Sequence, residues 1–381
     1  MNSHDSVNKK QLAGAALERA LAGKLSEILS GITWLSQRST KSQRNEPDMK
    51  ISLELHGKRR AELHVHFKSD VRPAFFQSWA EQRRHAMQGE KAVDVLASSF
   101  VSQRLADVCR EAGWSWHDLS GNCWIDVPGL LHIERNGLPS AHRPPRSTAN
   151  LSTPAAARVM RVLLTPAHAG RTWTQRALRM LTCWNLPKGE PVSLGLVNKV
   201  FHYLREQGFV AETDERGVRV KDPMGLLNAW RDAYRFDRHQ RRSYFTLLKG
   251  PQLEEALYRT GLDAGGFAAY AAFSAAERQA PQVRQPKTWL YLGADFMDSL
   301  VKNAQAKEVD SGENLVVLVP NDTGVFQTFE GDTYAGEQKL GCTDPVQTYV
   351  DLWHNPSRGE EAAQAVLEQR IRPAWDAVGS K

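Results

Sequence analysis

The spacing of apolar residues changes along the chain in an order that predicts its elements. Near the start, Leu17, Leu21, Leu25, Ile28, Ile32 and Leu35 are separated by four, four, three, four and three residues, the rhythm of one stripe on one helix. This predicts an amphipathic helical arm within residues 1–45, ended by the polar run Ser36 to Asn45. From Ile51 to His56 and from Ala61 to Lys68 apolar and polar residues alternate, and the basic turn Gly57-Lys-Arg-Arg60 joins them, which predicts a hairpin. Helical spacing returns over 73–88 and 102–112, with strand-like segments at 114–128 and 130–134. Residues 46–139 are therefore expected to form an α/β domain around a small sheet.

The pattern is most regular over 152–242. Ser152 or Thr153 followed by Pro154 announces a helix running to Leu164, since a hydroxyl at the cap and a proline in the first turn both suit a helix start. A second helix is predicted from Thr172 to Leu181. A third is capped by Ser193: Val197, Val200, Phe201 and Leu204 form its apolar stripe, Gly195, Asn198, Lys199, His202 and Arg205 face outward, and Gly208 closes it. The alternating segments 209–213 and 218–221 flank the polar turn Asp214-Glu-Arg-Gly217. Three helices followed by a hairpin predict a winged helix-turn-helix. Asp222-Pro then opens a further helix to Tyr234, with a basic tail from Arg235 to Arg242.

Charge sharpens this picture. Ser140 to Gly250 carries 19 Lys and Arg against 8 Asp and Glu, a net of +11, whereas Pro251 to Lys381 carries 11 against 19, a net of −8, in a chain whose total is +6. Positive charge concentrated on the segment with the helix-turn-helix pattern is what a polyanion partner requires. The major groove of a duplex admits one helix, so the third helix would offer Ser193, Asn198, Lys199 and His202 to base edges and phosphates. Arg171, Thr172, Thr174, Gln175 and Arg176 at the start of the second helix, and Arg216, Arg219 and Lys221 in the wing, would reach the flanking backbone. Ahead of them the linker, residues 140–151, supplies Arg143 and Arg146 in a proline-rich run suited to an extended path along a phosphate backbone or into a minor groove. A plain spacer, and a solvated helix face used for protein contacts, are the alternatives.

Other chemistry is sparse. Cys109, Cys123, Cys183 and Cys342 are far apart, which suggests free thiols rather than a disulfide framework or zinc site. No cofactor, metal site or catalytic group is expected. No apolar run approaches the roughly 20 residues of a membrane helix, and no signal-peptide core opens the sequence, so a cytoplasmic, nucleoid-associated protein is expected.

Residues 46–139 look like a degenerate restriction-endonuclease-like fold. Its working members carry a Pro-Asp pair, then an acidic residue, any residue and a lysine on the next strand. Pro47-Asp48 and Lys68 match, but His66 holds the acidic position, and imidazole is a poor ligand for magnesium. Glu62 shares the strand face of His66 and Lys68, so migration of the acid is an open alternative. His64 and His66, without a visible third ligand, read as surface histidines. Residues 243–381 look similar to nucleotidyltransferases: Gly265-Gly-Phe-Ala-Ala-Tyr270 precedes the strand Thr288-Trp-Leu-Tyr-Leu-Gly293, which lacks the two carboxylates a two-metal site needs. Asp344, Gln347 and Asp351 recur at helical spacing and read as capping and surface charge.

In chain order, Leu119-Ser-Gly-Asn-Cys-Trp-Ile-Asp126, Ser193-Leu-Gly-Leu-Val-Asn-Lys-Val200, Asp222-Pro with Leu227, Trp230 and Tyr234, and Asp344-Pro-Val-Gln-Thr-Tyr-Val-Asp-Leu352 resemble the AbiE-type antitoxins, transcriptional regulators of type IV toxin-antitoxin systems. The resemblance covers most of the chain after Met49, and the order of the motifs is more specific than any one of them. It implies an α+β multidomain protein: arm (1–45), degenerate endonuclease-like α/β domain (46–139), linker (140–151), winged helix-turn-helix (152–242) and nucleotidyltransferase-like α/β domain (243–381). It also implies a non-enzymatic regulator that binds double-stranded DNA, with a nucleotidyltransferase-like toxin as a candidate partner. A homodimer is expected, with the 17–35 helix as the first candidate interface and the hairpin's edge strand or the acidic C-terminal domain as alternatives, as is DNA binding by an isolated 143–242 segment. A plasmid or chromosome architectural protein of low sequence specificity, and a metal-dependent nuclease or nucleotidyltransferase, are the alternative functions.

Overall fold

In the computed structural model the described residues are 14–38, 46–55, 59–86, 92–140, 142, 149–183, 191–214, 217–283, 285–327, 339–356 and 358–379. They form an α+β protein that divides into two compact units, Met1–Arg146 with Glu206–Gly208, and Ser147–Arg205 with Phe209–Lys381.

In the first unit the chain runs α1 (Gly14–Ile28), β1 (Thr33–Arg38), β2 (Met49–Leu55), β3 (Arg59–Lys68), α2 (Pro73–Ala86), β4 (Ala92–Ser98), α3 (Gln103–Glu111), β5 (Ser115–Asp118), β6 (Cys123–Val127) and β7 (Leu131–Arg135). The seven strands lie side by side in sequence order. β3, β4 and β5 are parallel, and the crossovers that parallel pairing demands are α2 and α3. One core holds Ile51, Leu63, Val65, Val95 and Ile125 with Leu17, Leu21, Leu25 and Ile28 of α1. A second holds Leu96 and Trp116 with Phe76 and Trp79 of α2 and Leu105 and Val108 of α3.

The first helix is shorter than its apolar rhythm predicts. α1 stops at Ile28, and Gly31, at φ 90°, turns the chain through the left-handed region open to glycine. Leu35 belongs to β1, is 78 % exposed, and sits in a strand paired with β2 from Thr33↔Glu54 to Arg38↔Met49. Sheet pairing here overrides helical spacing. The stripe of the expected arm is also spent within its own unit, so Leu17, Leu21 and Leu25 do not form a surface for a second copy.

The second unit begins with α4 (Pro154–Leu164), β8 (Thr172–Trp173), α5 (Gln175–Leu181), α6 (Leu194–Glu206), β9 (Val210–Glu212), β10 (Val218–Val220) and α7 (Pro223–Ala233). Its three strands pair antiparallel in the order β8-β10-β9. There follow β11 (Gln240–Phe245), α8 (Pro251–Asp263), β12 (Ala268–Tyr270), α9 (Ala272–Gln279), β13 (Thr288–Leu292), α10 (Met297–Asn303), β14 (Lys307–Glu308), β15 (Leu315–Val319), α11 (Pro345–Trp353), α12 (Gly359–Val366) and, after one π-helical turn, α13 (Arg372–Gly379). These strands order as β12-β13-β15-β11-β14, with β13 and β15 parallel.

One continuous core runs through this unit, from Val159, Met160 and Leu163 through Phe201, Leu204 and Trp230 to Tyr291, Val316, Tyr349 and Val366. The expected boundary at residue 242 therefore falls within β11, inside one compact unit. Polar groups cross the same line. Arg158 Nε donates to Asp322 Oδ1 at 2.8 Å, and the hydroxyl of Thr165 donates to Asp344 Oδ2 at 2.6 Å. Asp344 does cap α11, accepting from the Val346 N–H at 2.9 Å. The reading of Asp344, Gln347 and Asp351 as surface charge is corrected: all three are buried. Asp351 accepts hydrogen bonds from Tyr234 (2.8 Å), Tyr291 (3.1 Å) and Gln347 (2.7 Å). A side chain at helical spacing can serve a polar core as well as a wet face, because buried polar groups are tolerated when hydrogen-bonded.

Candidate nucleic-acid interface

In the N-terminal half of the second unit, most of the residues singled out for DNA contact are exposed. α4 forms because Thr153 caps it, its side chain accepting from the Ala156 N–H at 3.3 Å, with Pro154 at its first position. The second helix starts later than its sequence suggests. Thr172 and Trp173 are drawn into β8 by pairing with Arg219 and Val218, and Thr174 becomes the cap, accepting from the Ala177 N–H at 3.2 Å. Gly217 permits this pairing, because a Cβ there would lie 2.7 Å from Thr172 Cγ2 and 2.9 Å from the carbonyl oxygen of Trp173.

α6 follows the predicted stripe. Val197, Val200, Phe201 and Leu204 are buried, and Ser193 Oγ accepts from the Leu196 N–H at 3.2 Å. The start of this helix is tied to α5 from two sides. Arg179 Nε donates to the Val192 carbonyl at 3.0 Å, and the Val192 N–H donates to Thr182 Oγ1 at 3.0 Å. These bonds fix where the outward residues of α6 point.

Ser193, Asn198, Lys199 and His202 are exposed. So are Arg171, Thr174, Arg176, Arg219 and Lys221, while Thr172 and Gln175 are half-buried. Arg171 lies with its guanidinium 4.4 Å from the centroid of the buried Trp173 ring, a cation–π contact that holds a charge in place without neutralising it. Thr174 and Ser193 spend an oxygen lone pair on capping. Gln175 Nε2 donates to Asn198 Oδ1 at 2.9 Å, which joins the start of α5 to the exposed face of α6. Arg205 is half-buried and paired with Glu212. Arg143, Arg146 and Arg216 lie outside the described residues.

Sequence reasoning passed over Leu194 and Met180, which are 50 % and 54 % exposed. The signal was present for Leu194, which continues the stripe one turn ahead of Val197, beyond the reach of the core.

In the first unit, the endonuclease-like positions are engaged with protein groups. His66 Nε2 lies 2.9 Å from Asp94 Oδ1, to which Arg83 Nε donates at 2.7 Å. Arg83 Nη2 is 3.1 Å from His64 Nδ1, and His64 Nε2 is 3.0 Å from Glu62 Oε1. His64 and His66 are 2 % and 1 % exposed, which corrects their reading as surface histidines. Burial lowers the pKa of His66 against the opposing pull of Asp94. Asp48 accepts from the Phe67 N–H at 2.8 Å, and Lys68 Nζ lies 5.4 Å from the Trp79 ring. Among the described residues no group of three or more His, Cys, Asp or Glu is placed to hold a metal ion. Cys109, Cys123 and Cys342 are buried and Cys183 half-buried, all as free thiols. No helix among the described residues is long and apolar enough to cross a membrane.

Residues 219–372 match the family described as transcriptional regulator, AbiEi antitoxin, of type IV toxin-antitoxin systems. The similarity to that family is thus shown from within β10 to the start of α13. No curated protein and no solved structure matches the chain.

Proposed function

We propose, on the premise of that family match, that the chain is a DNA-binding transcriptional regulator of antitoxin type whose residues 152–242 read duplex DNA as a winged helix-turn-helix. The observation that carries the reading is the face of α6. Asn198, Lys199 and His202 stand exposed together on it, the opposite stripe is fully buried, and β9 and β10 follow it as a hairpin to which β8, from ahead of α5, adds a third strand. α6 would enter the major groove, with Asn198 at base edges and Lys199 at phosphate, while Arg171, Arg176, Arg219 and Lys221 hold the flanking backbone. Arg143, Arg146 and Arg216 would extend that contact.

The finer architecture belongs to the same proposal. Residues 46–139, with a hairpin feeding parallel crossovers, fit a degenerate endonuclease-like domain. Residues 243–381, built on the mixed sheet around β13, fit a nucleotidyltransferase-like domain. Neither carries a chemical step in this account. His66 is bound by Asp94, and β13 reads Thr-Trp-Leu-Tyr-Leu, without the pair of carboxylates that would bind metals around a transferred phosphate. A nucleotidyltransferase-like toxin is the candidate protein partner, and two copies are expected on one operator, since one such module covers a single half-site and half-sites repeat at about 34 Å.

The test is fluorescence anisotropy of the full chain on the duplex upstream of its own gene and on a shuffled duplex, at several salt concentrations. A preference of about a thousandfold or more for the natural duplex supports a regulator. Equal, steeply salt-dependent binding to both identifies an architectural protein, and no binding to either rejects the reading.

A further inference from the structure

The hydrogen bond between Gln175 and Asn198 constrains the amide of an exposed residue on the proposed recognition helix. It joins a half-buried residue in the first turn of α5 to an exposed residue one turn into α6. A carboxamide alone is ambiguous: it offers an acceptor on one side and two donors on the other, and rotation about its last torsion exchanges them. In the structure the bond to Gln175 selects one of these orientations. Its Nε2 donates to Asn198 Oδ1, so the oxygen of Asn198 is held toward α5 with one lone pair left, and the Nδ2 group is held on the other side with its two donors. The bonds of Arg179 and Thr182 to Val192 also tie the end of α5 to the residues just ahead of α6.

We infer that Gln175 is a positioning residue that locks Asn198 into an acceptor-beside-donor arrangement selective for adenine in the major groove. Adenine presents N7, an acceptor, beside the N6 amino donor, which a fixed Asn amide meets with both of its groups. Guanine presents N7 and O6, two acceptors, so the carbonyl of Asn198 would face an oxygen. The inference rests on the proposed role of α6, and it adds both the base and the residue that enforces its choice.

The experiment is selection from a random duplex pool with the full-length protein, followed by binding to the selected site with its adenines replaced one at a time by 7-deazaadenine, which lacks the N7 acceptor. The wild type should lose roughly 5- to 10-fold at one adenine, the loss expected for one hydrogen bond of the pair. Asn198→Ala should abolish the preference at that position alone. Gln175→Glu is the decisive variant. It keeps the shape but can only accept, so it draws the Nδ2 of Asn198 toward itself and reverses the amide. Its added carboxylate should weaken binding to every duplex alike, so the adenine preference is read as the ratio of affinities for selected and shuffled duplex within the variant, and that ratio should be lost. Retained preference in Gln175→Glu, with Asn198→Ala still losing it, overturns the positioning role and leaves DNA reading by α6 intact. A selected site whose preferences are untouched by Asn198→Ala overturns the placement of α6 itself.

Discussion

Arg161 Nε donates to Gln347 Oε1 at 2.6 Å, a bond between α4 and α11 across 186 residues of sequence. Arg161 is 2 % exposed, and its Nη1 lies 3.6 Å from Asp322 Oδ2. Gln347 in turn donates to Tyr234 and Asp351. The first helix of the proposed DNA-reading module is thus built into the polar core of the C-terminal sheet. Asp322 keeps its pair with Arg158, so Arg161→Ala chiefly leaves the buried Gln347 Oε1 without its donor and is expected to cost about 1–3 kcal/mol. Thermal or urea unfolding of the full chain checks this.

The same relationship revises the expectation that residues 143–242 act alone. That segment would expose the core shared with Tyr291, Val316 and Tyr349 and leave Arg158 and Arg161 without Asp322 and Gln347. It is expected to lack a cooperative unfolding transition, whereas residues 147–381 should show one by circular dichroism.

Asp351 gives the fold a pH dependence. Burial raises its pKa to about 7, against the bonds it accepts from Tyr234 and Tyr291. A carboxyl whose folded pKa is raised contributes stability that is complete below its unfolded value near 3.8 and is lost as pH rises through about 7. His239, lowered to about 4 by burial and by Arg161, acts oppositely and loses its contribution as pH falls from its ordinary 6.5 toward 4. Asp351→Asn removes the first dependence and keeps the second. Its stability relative to wild type should therefore increase between pH 4 and pH 8, by on the order of 4 kcal/mol. Unfolding midpoints at matched ionic strength measure it, and a pH-independent difference would contradict the assignment.

Leu21, fully buried in α1, tests the corrected role of the first helix. Leu21→Ala should destabilise the first unit by about 2–5 kcal/mol. Sedimentation at micromolar concentration should show the oligomeric state unchanged, whereas dissociation of an oligomer without loss of stability would restore the helix as an interface.

What the sequence revealed depended on whether local pattern and tertiary context agreed. The buried stripe of α6 and its Ser193 cap were legible because helical spacing, the cap and Gly208 all point the same way. Leu35 was misread because the step from Ile32 fits a helix equally well until β2 provides a pairing partner. Asp351 was misread for a related reason: spacing shows that Asp344, Gln347 and Asp351 share a helix face, but only the arrival of Tyr234, Tyr291 and Arg161 from distant elements shows that the face is inside. The Gln175–Asn198 bond, between two residues that sequence reasoning had selected separately, depends on how α5 meets α6 and has no signature in either segment alone.

The most direct test of the account is the salt dependence of duplex binding by full-length wild type, Lys199→Ala and the double variant Asn198→Ala, Lys199→Ala. Both residues are exposed on α6 and outside its core, so circular dichroism and unfolding should be unchanged. Lys199→Ala should weaken binding alike on natural and shuffled duplex and reduce the slope of log affinity against log salt by about one. The double variant should in addition lose preference for the natural site. Wild-type affinity, slope and preference in a folded double variant would contradict the claim that α6 is the helix that reads DNA.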